Sequence, residues 1–220
     1  MNEPRRKALV SDFDGTMTRH DFYQLVVERL LPPGTPDYWA DYRAGRITHF
    51  EALNAYFAAA RPDEAEVFDV VRSMGLDPDL KPEVEALRAA GWDVVVASAG
   101  CRWYIDRLFR EAGVLLEVHA NLGKVVGGRL VMELPRDSPF YSPDNGIDKA
   151  AIVRQAQGTH VVVAFAGDGP PDLAAALLVE PELRFARGQL AVALQQRGAE
   201  FQPFDRWSDV SRALVQRGDA

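Results

Sequence analysis

Ala8-Leu9-Val10-Ser11-Asp12-Phe13-Asp14-Gly15-Thr16 is the stretch that decides the fold, because an apolar run of strand length ends in two aspartates and a glycine turn. Two later runs end in a comparable way. Asp93-Val94-Val95-Val96-Ala97 closes on Ser98, and residues 161–166 lead into Gly167-Asp168-Gly169-Pro170-Pro171-Asp172. Near-continuous apolar runs are the signature of strands buried on both faces of a parallel sheet. Such strands end together at one crevice, where ligands of open α/β sheets bind. Helical spacing over residues 83–90, 103–112, 149–157 and 173–179 alternates with these strands. The fold class is therefore α/β, a Rossmann-like parallel sheet flanked by helices, with a carboxylate-lined phosphate site at its strand ends.

The chain has 220 residues and a net charge of -7, enough for one substantial core and a smaller insert. The acidic balance argues against sequence-independent nucleic-acid binding, which needs a basic face to release counterions. A small phosphorylated metabolite is the expected partner. A single cysteine, Cys101, excludes an internal disulfide and a zinc site of clustered thiolates, and it makes the cytoplasm the expected compartment. The opening residues Met1-Asn2-Glu3-Pro4-Arg5-Arg6-Lys7 are basic and lack the apolar stretch of a signal peptide, so no membrane partner is expected. Composition leaves monomer and homodimer equally open.

Residues 17–78 hold no clear strand but contain helical segments at 22–31, 50–60 and 64–74, separated by Pro32-Pro33-Gly34 and Arg61-Pro62-Asp63. The predicted organisation is a core of residues 1–16 and 79–220, with a helical cap of residues 17–78 inserted after the first strand. Entering directly after the first acidic motif, the cap is expected to sit over the carboxylates and to set specificity. Residues 123–134 place Gly127-Gly128 between two β-rich runs, the signal for a small hairpin ribbon on the core.

Phosphoryl transfer needs a nucleophile in line with phosphorus, and Asp12, just past a strand, suits an aspartyl phosphate intermediate. Asp14 is the matching acid and base, protonating the leaving alkoxide and then taking a proton from water. Bringing Asp12, Asp14, Asp168 and Asp172 together costs several kcal/mol, given ~4 kcal/mol per like pair at ~4 Å and an effective dielectric of ~20. A divalent cation removes that repulsion, and hard oxygen donors favour Mg²⁺. Ser98 and Lys149 complete a phosphate cradle, to which Gly15, Ala99 and Gly100 add backbone amides. Taken singly, Ser98 reads as a turn residue, Lys149 as solvated, and Asp172 as a helix cap. Their order along the chain favours the joint reading.

Other residues carry weaker signals. Cys101 has no histidine placed to activate it and reads as packed. His20, at the entry to the insert, is a candidate substrate contact, while His49, His119 and His160 show no ligand spacing. Asp21 reads as the cap of the helix from Phe22 or as a reader of a cationic substrate group. Trp39, Tyr42 and Phe57 read as core.

Asp12-x-Asp14-Gly15-Thr16, Ser98, Lys149 and Gly167-Asp168-Gly169-x-x-Asp172 occur in the order and spacing of the haloacid dehalogenase-like phosphatases, which this chain resembles. The resemblance implies a Mg²⁺-dependent phosphoric monoester hydrolase. It places Asp12 and Asp168 on the metal through carboxylates, Asp14 through its backbone carbonyl, and Asp172 one step further out or through water. The helical insert and Gly45-Arg46-Ile47-Thr48-His49-Phe50-Glu51 resemble the phosphoserine phosphatase type, although Ala55 stands where serine-specific relatives carry an arginine. Residues 168–176, 183–187 and 204–210 resemble the branch that acts on 2-hydroxy-3-keto-5-methylthiopentenyl-1-phosphate in methionine salvage. That branch's cysteine-containing segment is replaced by residues 136–145, and other relatives act on phosphocholine, phosphoethanolamine or pyridoxal phosphate. Readings of a different class are a phosphotransferase and a non-catalytic metal- or phosphate-binding protein.

Overall fold

The computed structural model describes residues 6–60, 63–127 and 129–217. The first apolar run forms β1 (Lys7–Ser11), buried at every position as a strand covered on both faces must be. It is the middle strand of a seven-stranded sheet. On one side lie β2 (Trp92–Cys101), β3 (Glu117–Val126) and the edge strand β4 (Arg129–Glu133). On the other lie β7 (Val162–Gly167), β8 (Arg184–Ala186) and β9 (Gln202–Pro203), while β5 (Tyr141–Ser142) and β6 (Gly146–Ile147) form a separate two-stranded ribbon. Among the described residues, only β3 and β4 pair antiparallel within the large sheet. Ser11 is level with Val96 on β2 and with Ala166 on β7. The residues that follow, Asp12, Ala97-Ser98 and Gly167-Asp168, therefore emerge side by side.

Successive residues of β1 feed opposite faces of the sheet, as the period of two requires. Leu9 packs with Val94 and Val96 beneath α5 (Leu80–Ala89), α6 (Arg102–Ala112) and α10 (Trp207–Gln216). Ala8 and Val10 pack with Val163 and Phe165 beneath α7 (Lys149–Thr159), α8 (Leu173–Ala176) and α9 (Gly188–Gln196). The stretch between β1 and β2 folds into α1 (Phe22–Arg29), α2 (Tyr38–Arg43), α3 (His49–Ala59) and α4 (Glu64–Ser73). Each begins on a side-chain cap, at Asp21, Asp37, Thr48 and Asp63, and the last two form capping boxes with Glu51 and Glu66. Phe22, Leu25, Phe50, Leu53 and Phe57 join the same apolar cluster as Leu9.

The expected α/β sheet and its helices are present, with local differences. β2 does not stop at Ala97 but continues to Cys101, so Ser98 lies inside the strand, where the pairing with β3 shifts register between Ala97 and Cys101. The expected ribbon at residues 123–134 is the outer edge of the main sheet, because Glu117, Val118 and His119 first pair parallel with β2. Gly128 of its predicted turn lies outside the described residues, as do Arg61 and Pro62 of the turn in the insert. The predicted helix at 173–179 ends at Ala176. Helix α2 was not expected, since its six residues are too few to show a helical period.

Trp207, at the start of α10, is fully buried and donates from Nε1 to Ser11 Oγ over 3.0 Å, while Ser11 Oγ donates to the Asp12 carbonyl over 2.7 Å. Replacing Trp207 by Ala leaves a large cavity beneath the strand that carries Asp12. It should destabilise the protein by about 3–5 kcal/mol, read as a lowered urea midpoint with little change in slope; an unchanged midpoint would refute the packing role.

Candidate active site

Four charged side chains meet where β1 and β7 end. Lys149, the first residue of α7, places Nζ 2.5 Å from Asp12 Oδ1 and 2.6 Å from Asp172 Oδ1, and all three side chains are buried. Asp12, Asp168 and Asp172 each present an oxygen within 4.8 Å of the others. The Thr16 hydroxyl lies 3.2 Å from Asp12 Oδ2 and 3.3 Å from Asp168 Oδ1. The second oxygen of Asp172 accepts from the Asp168 and Gly169 amides at 3.0 and 2.9 Å. Asp172 thus folds its own loop back on itself, and it makes no side-chain cap to α8. A Cβ at Gly167 would run into the Asp172 carboxylate, and one at Gly15, whose φ is +70°, into that of Asp168.

The electrostatics follow from one cation facing three acids, two of them buried and Asp168 half-buried. Burial pushes Asp168 up to about 9, with the Asp12 and Asp172 charges adding to it. Asp172 rises to about 6 through burial and the Asp12 charge, opposed by Lys149. Burial alone would lower Lys149, but the Asp12 and Asp172 carboxylates outweigh it and hold the ammonium firmly charged.

Asp14 faces elsewhere. Its carboxylate is not one of the three clustered groups; the Tyr104 hydroxyl lies 2.9 Å from each of its oxygens, Ser98 Oγ donates to Oδ2 at 3.2 Å, and the Phe22 amide donates to Oδ1 at 3.4 Å. Burial raises its pKa well above the ordinary carboxylate range, and the Asp21 and Asp12 charges raise it further. Ser98 Oγ also accepts from the Gly100 amide at 2.9 Å, and the Gly15 amide donates to Thr18 Oγ1 at 3.0 Å, so two of the amides expected to stay open have local partners. The Ala99 carbonyl accepts from Asn121 Nδ2 at 2.8 Å. Tyr104 was missed by sequence reasoning because it lies within the apolar stripe of α6, where a tyrosine reads as core. The available signal was its hydroxyl, since a buried tyrosine needs a polar partner.

Asp21 caps α1, accepting from the Tyr23 amide at 2.7 Å, and its pKa is raised to about 6 by burial. His20 is exposed and lines a cavity of about 730 Å³ with Thr16, Asp77, Arg187 and Arg206. Neither belongs to the carboxylate trio. Cys101 is packed, its thiol pushed up to about 12 by burial, and Phe57 is buried, whereas Trp39 and Tyr42 are only partly so. His160 pairs with Asp93 and His119 with Glu117, away from the trio. His49 starts α3, its amide donating to Asp144 Oδ1 at 3.2 Å.

The haloacid dehalogenase-like hydrolase family model matches residues 9–177, a span that carries the end of β1, all of β2, Lys149 and the loop to Asp172. The chain belongs to this family. Among curated proteins it is 22% identical over 211 residues to the 2-hydroxy-3-keto-5-methylthiopentenyl-1-phosphate phosphatase of Exiguobacterium sibiricum, covering 92% of this chain and 93% of that protein. It is also 22% identical over 219 residues to the protein of the same name from Brevibacillus brevis, covering 96% of each. A solved structure titled as a phospho-aspartyl intermediate analogue of phosphoserine phosphatase superposes with a TM-score of 0.67 at 14% identity, covering 98% of this chain and all of that one. Family membership and the relatives' phosphatase names bear out the expected class, a phosphoric monoester hydrolase. No helix among the described residues is long and apolar enough to cross a membrane.

The donor set fits a hard divalent cation: three carboxylates, oxygen alone, with no cation paired to Asp168 among the described residues. The folded value of Asp168, about 9, exceeds its ordinary 3.8, and that of Asp172 is about 6. Groups raised in this way contribute stability that is complete below about pH 4 and is lost as pH rises through the folded values. The metal-free melting temperature should therefore fall between about pH 5 and pH 9, and saturating Mg²⁺ should reduce that fall by relieving the trio. Scanning calorimetry with EDTA and with Mg²⁺ checks both; parallel pH curves would count against a shared cation site.

Proposed function

We propose that the protein is a Mg²⁺-dependent phosphatase that hydrolyses a small phosphomonoester through an aspartyl phosphate on Asp12. The observation that carries this reading is the division of labour between two aspartates two residues apart. Asp12 lies in a buried ion pair with Lys149, while Asp14 is half-buried beside the Tyr104 and Ser98 hydroxyls with a raised pKa. A general acid must be protonated as the leaving group departs, which the raised pKa of Asp14 favours, while Lys149 gives the Asp12 carboxylate a positive partner.

In this reading Asp12, Asp168 and the Asp14 backbone carbonyl hold Mg²⁺, with Asp172 supporting them, and the bound cation would offset charge on the phosphate oxygens. Asp12 attacks phosphorus as the ester bond breaks, and Asp14 gives its proton to the departing alkoxide. Asp14 then accepts a proton from the water that releases phosphate, regenerating Asp12. Lys149 and Ser98 stabilise the phosphoryl oxygens, with the backbone around Gly15, Ala99 and Gly100 forming the wall of the cradle. Residues 17–78 act as the cap over a core of residues 1–16 and 79–220, with His20 and Asp21 at the seam as candidate substrate contacts. The Phe22 amide of α1, which donates to Asp14 Oδ1, supports a cap that closes over the acid.

The two relatives named for 2-hydroxy-3-keto-5-methylthiopentenyl-1-phosphate make that ester the first substrate to test, and the phosphoserine phosphatase neighbours make phosphoserine the second. The single buried cysteine supports a cytoplasmic setting. Phosphate release across a panel of these esters together with phosphocholine, phosphoethanolamine and pyridoxal phosphate, with Mg²⁺ and with EDTA, should show metal-dependent turnover peaking on one ester. Asp12→Asn should lower kcat by at least about 10⁴-fold, and Asp14→Asn by about 10²–10⁴-fold, both in protein that keeps the wild-type far-UV circular dichroism. Substantial turnover by Asp12→Asn would eliminate the covalent route, and phosphate appearing on added alcohols instead of in solution would assign a phosphotransferase.

A further inference from the structure

We infer that Tyr104 is a positioning residue for the reaction's general acid, its hydroxyl fixing the plane of the Asp14 carboxyl group so that the acidic proton faces the departing oxygen. The inference rests on the proposed phosphatase reading and adds to it a residue outside the aspartate, serine and lysine motifs.

The geometry is specific. Tyr104 sits six residues after Ser98, on the inner face of α6, and is fully buried. Its hydroxyl is 2.9 Å from both Asp14 oxygens, while Ser98 Oγ meets only Oδ2 and the Phe22 amide only Oδ1, so the carboxyl group is held at its outer edge by Tyr104 and cannot turn about its Cβ–Cγ bond without losing one of the flanking contacts. The ring is itself immobilised, 4.6 Å from the Phe22 ring and 6.3 Å from that of Phe13, centroid to centroid. Phe13 lies between the two aspartates in sequence and Phe22 opens α1, so the hydroxyl is held from both the core and the helices inserted after β1. Gly100 makes the approach feasible, since a Cβ there would overlap both the Tyr104 hydroxyl and the Asp14 carboxylate.

The hydroxyl is suited to orient the acid and to leave the proton transfer to it. The hydroxyl has a single proton to donate and both Asp14 oxygens within reach to receive it. With one proton on Tyr104 and one on Asp14, Tyr104 donates to one carboxyl oxygen while the other presents its proton to the leaving group. Ser98 is the second donor, to Oδ2 only, and a serine that turns to a phosphoryl oxygen leaves Asp14 with Tyr104 as its remaining side-chain anchor.

The test uses leaving-group dependence, which a merely structural residue would not alter. An alkoxide leaving group needs the general acid, whereas p-nitrophenolate departs without a proton. kcat/KM reports the steps through phosphoryl transfer to Asp12, so it isolates the step in which the acid acts. Tyr104→Phe keeps the ring packed against Phe13 and Phe22 and removes one oxygen. It should lower kcat/KM about 30-fold on the best alkyl phosphomonoester of the panel, through kcat rather than KM, and less than about threefold on p-nitrophenyl phosphate. Inhibition by inorganic phosphate and the melting temperature serve as controls and should stay close to wild type. In an Asp14→Asn background the same change should have no further effect on the alkyl ester, because there is no acid left to orient. Equal losses on both esters, no loss on either, or full additivity with Asp14→Asn would overturn the positioning role. A wild-type protein that hydrolyses neither ester would instead overturn the phosphatase reading on which it rests.

Discussion

The ammonium of Lys149, buried between Asp12 and Asp172, is the interaction on which the rest of the molecule depends. One positive charge faces three carboxylates, two of them buried, so the site carries an uncompensated negative charge wherever all three are ionised. Removing one partner from a buried ion pair is costly because the other charge is left without compensation. The strand order, the glycines at 15 and 167 and the folded-back loop to Asp172 all serve to bring these groups close despite their repulsion. The same repulsion is what a bound divalent cation relieves, so an arrangement costly to folding is the one suited to phosphate chemistry.

Around this charge cluster the protein separates two carboxylates that are neighbours in sequence. Asp12 lies against a lysine and Asp14 against a tyrosine, a serine and a backbone amide. Phe13, between them, packs into the apolar cluster beneath α6, so the chain turns with its aromatic ring inward and its carboxylates in different environments. Burial and the Asp21 and Asp12 charges favour the proton on Asp14, against the pull of its Tyr104 and Phe22 donors. One turn thereby supplies two carboxyl groups with different partners.

The helices between β1 and β2 share the apolar cluster of the sheet's Leu9 face, so their placement is coupled to the core. Further contacts join them to the far side of the chain. Asp144, in the β5–β6 ribbon just before Lys149, accepts from the His49 amide with its side chain and from the Phe50 amide with its carbonyl, and Asn54 accepts from the Met132 amide on β4. Phe68 of α4 stacks on Trp103 of α6 beneath the guanidinium of Arg107. Any movement of these helices must break such contacts at both ends, which links the environment above Asp14 to the segment that delivers Lys149.

Much of this was legible in the chain. Valine-rich runs such as Val94-Val95-Val96 mark buried parallel strands, and the aspartates after such runs mark the crevice, because burial on both faces excludes polar residues until a strand ends. The sequence by itself therefore determined the parallel centre of the sheet, the helices between β1 and β2 and the residues Asp12, Lys149, Asp168 and Asp172 that the structure brings together. It did not determine where β2 ends, since Ser98, Ala99 and Gly100 read as a loop until β3 is present to pair with Cys101. It did not assign β3 to the main sheet, because a strand's partner is a long-range choice that local hairpin signals cannot express. Nor did it reveal Tyr104, whose place in an apolar helical stripe gives no hint that its hydroxyl meets a carboxylate 90 residues away. Local pattern records which residues must leave water; only the packed tertiary structure decides which buried polar groups meet, because each must find a partner among whatever the fold brings within hydrogen-bonding distance.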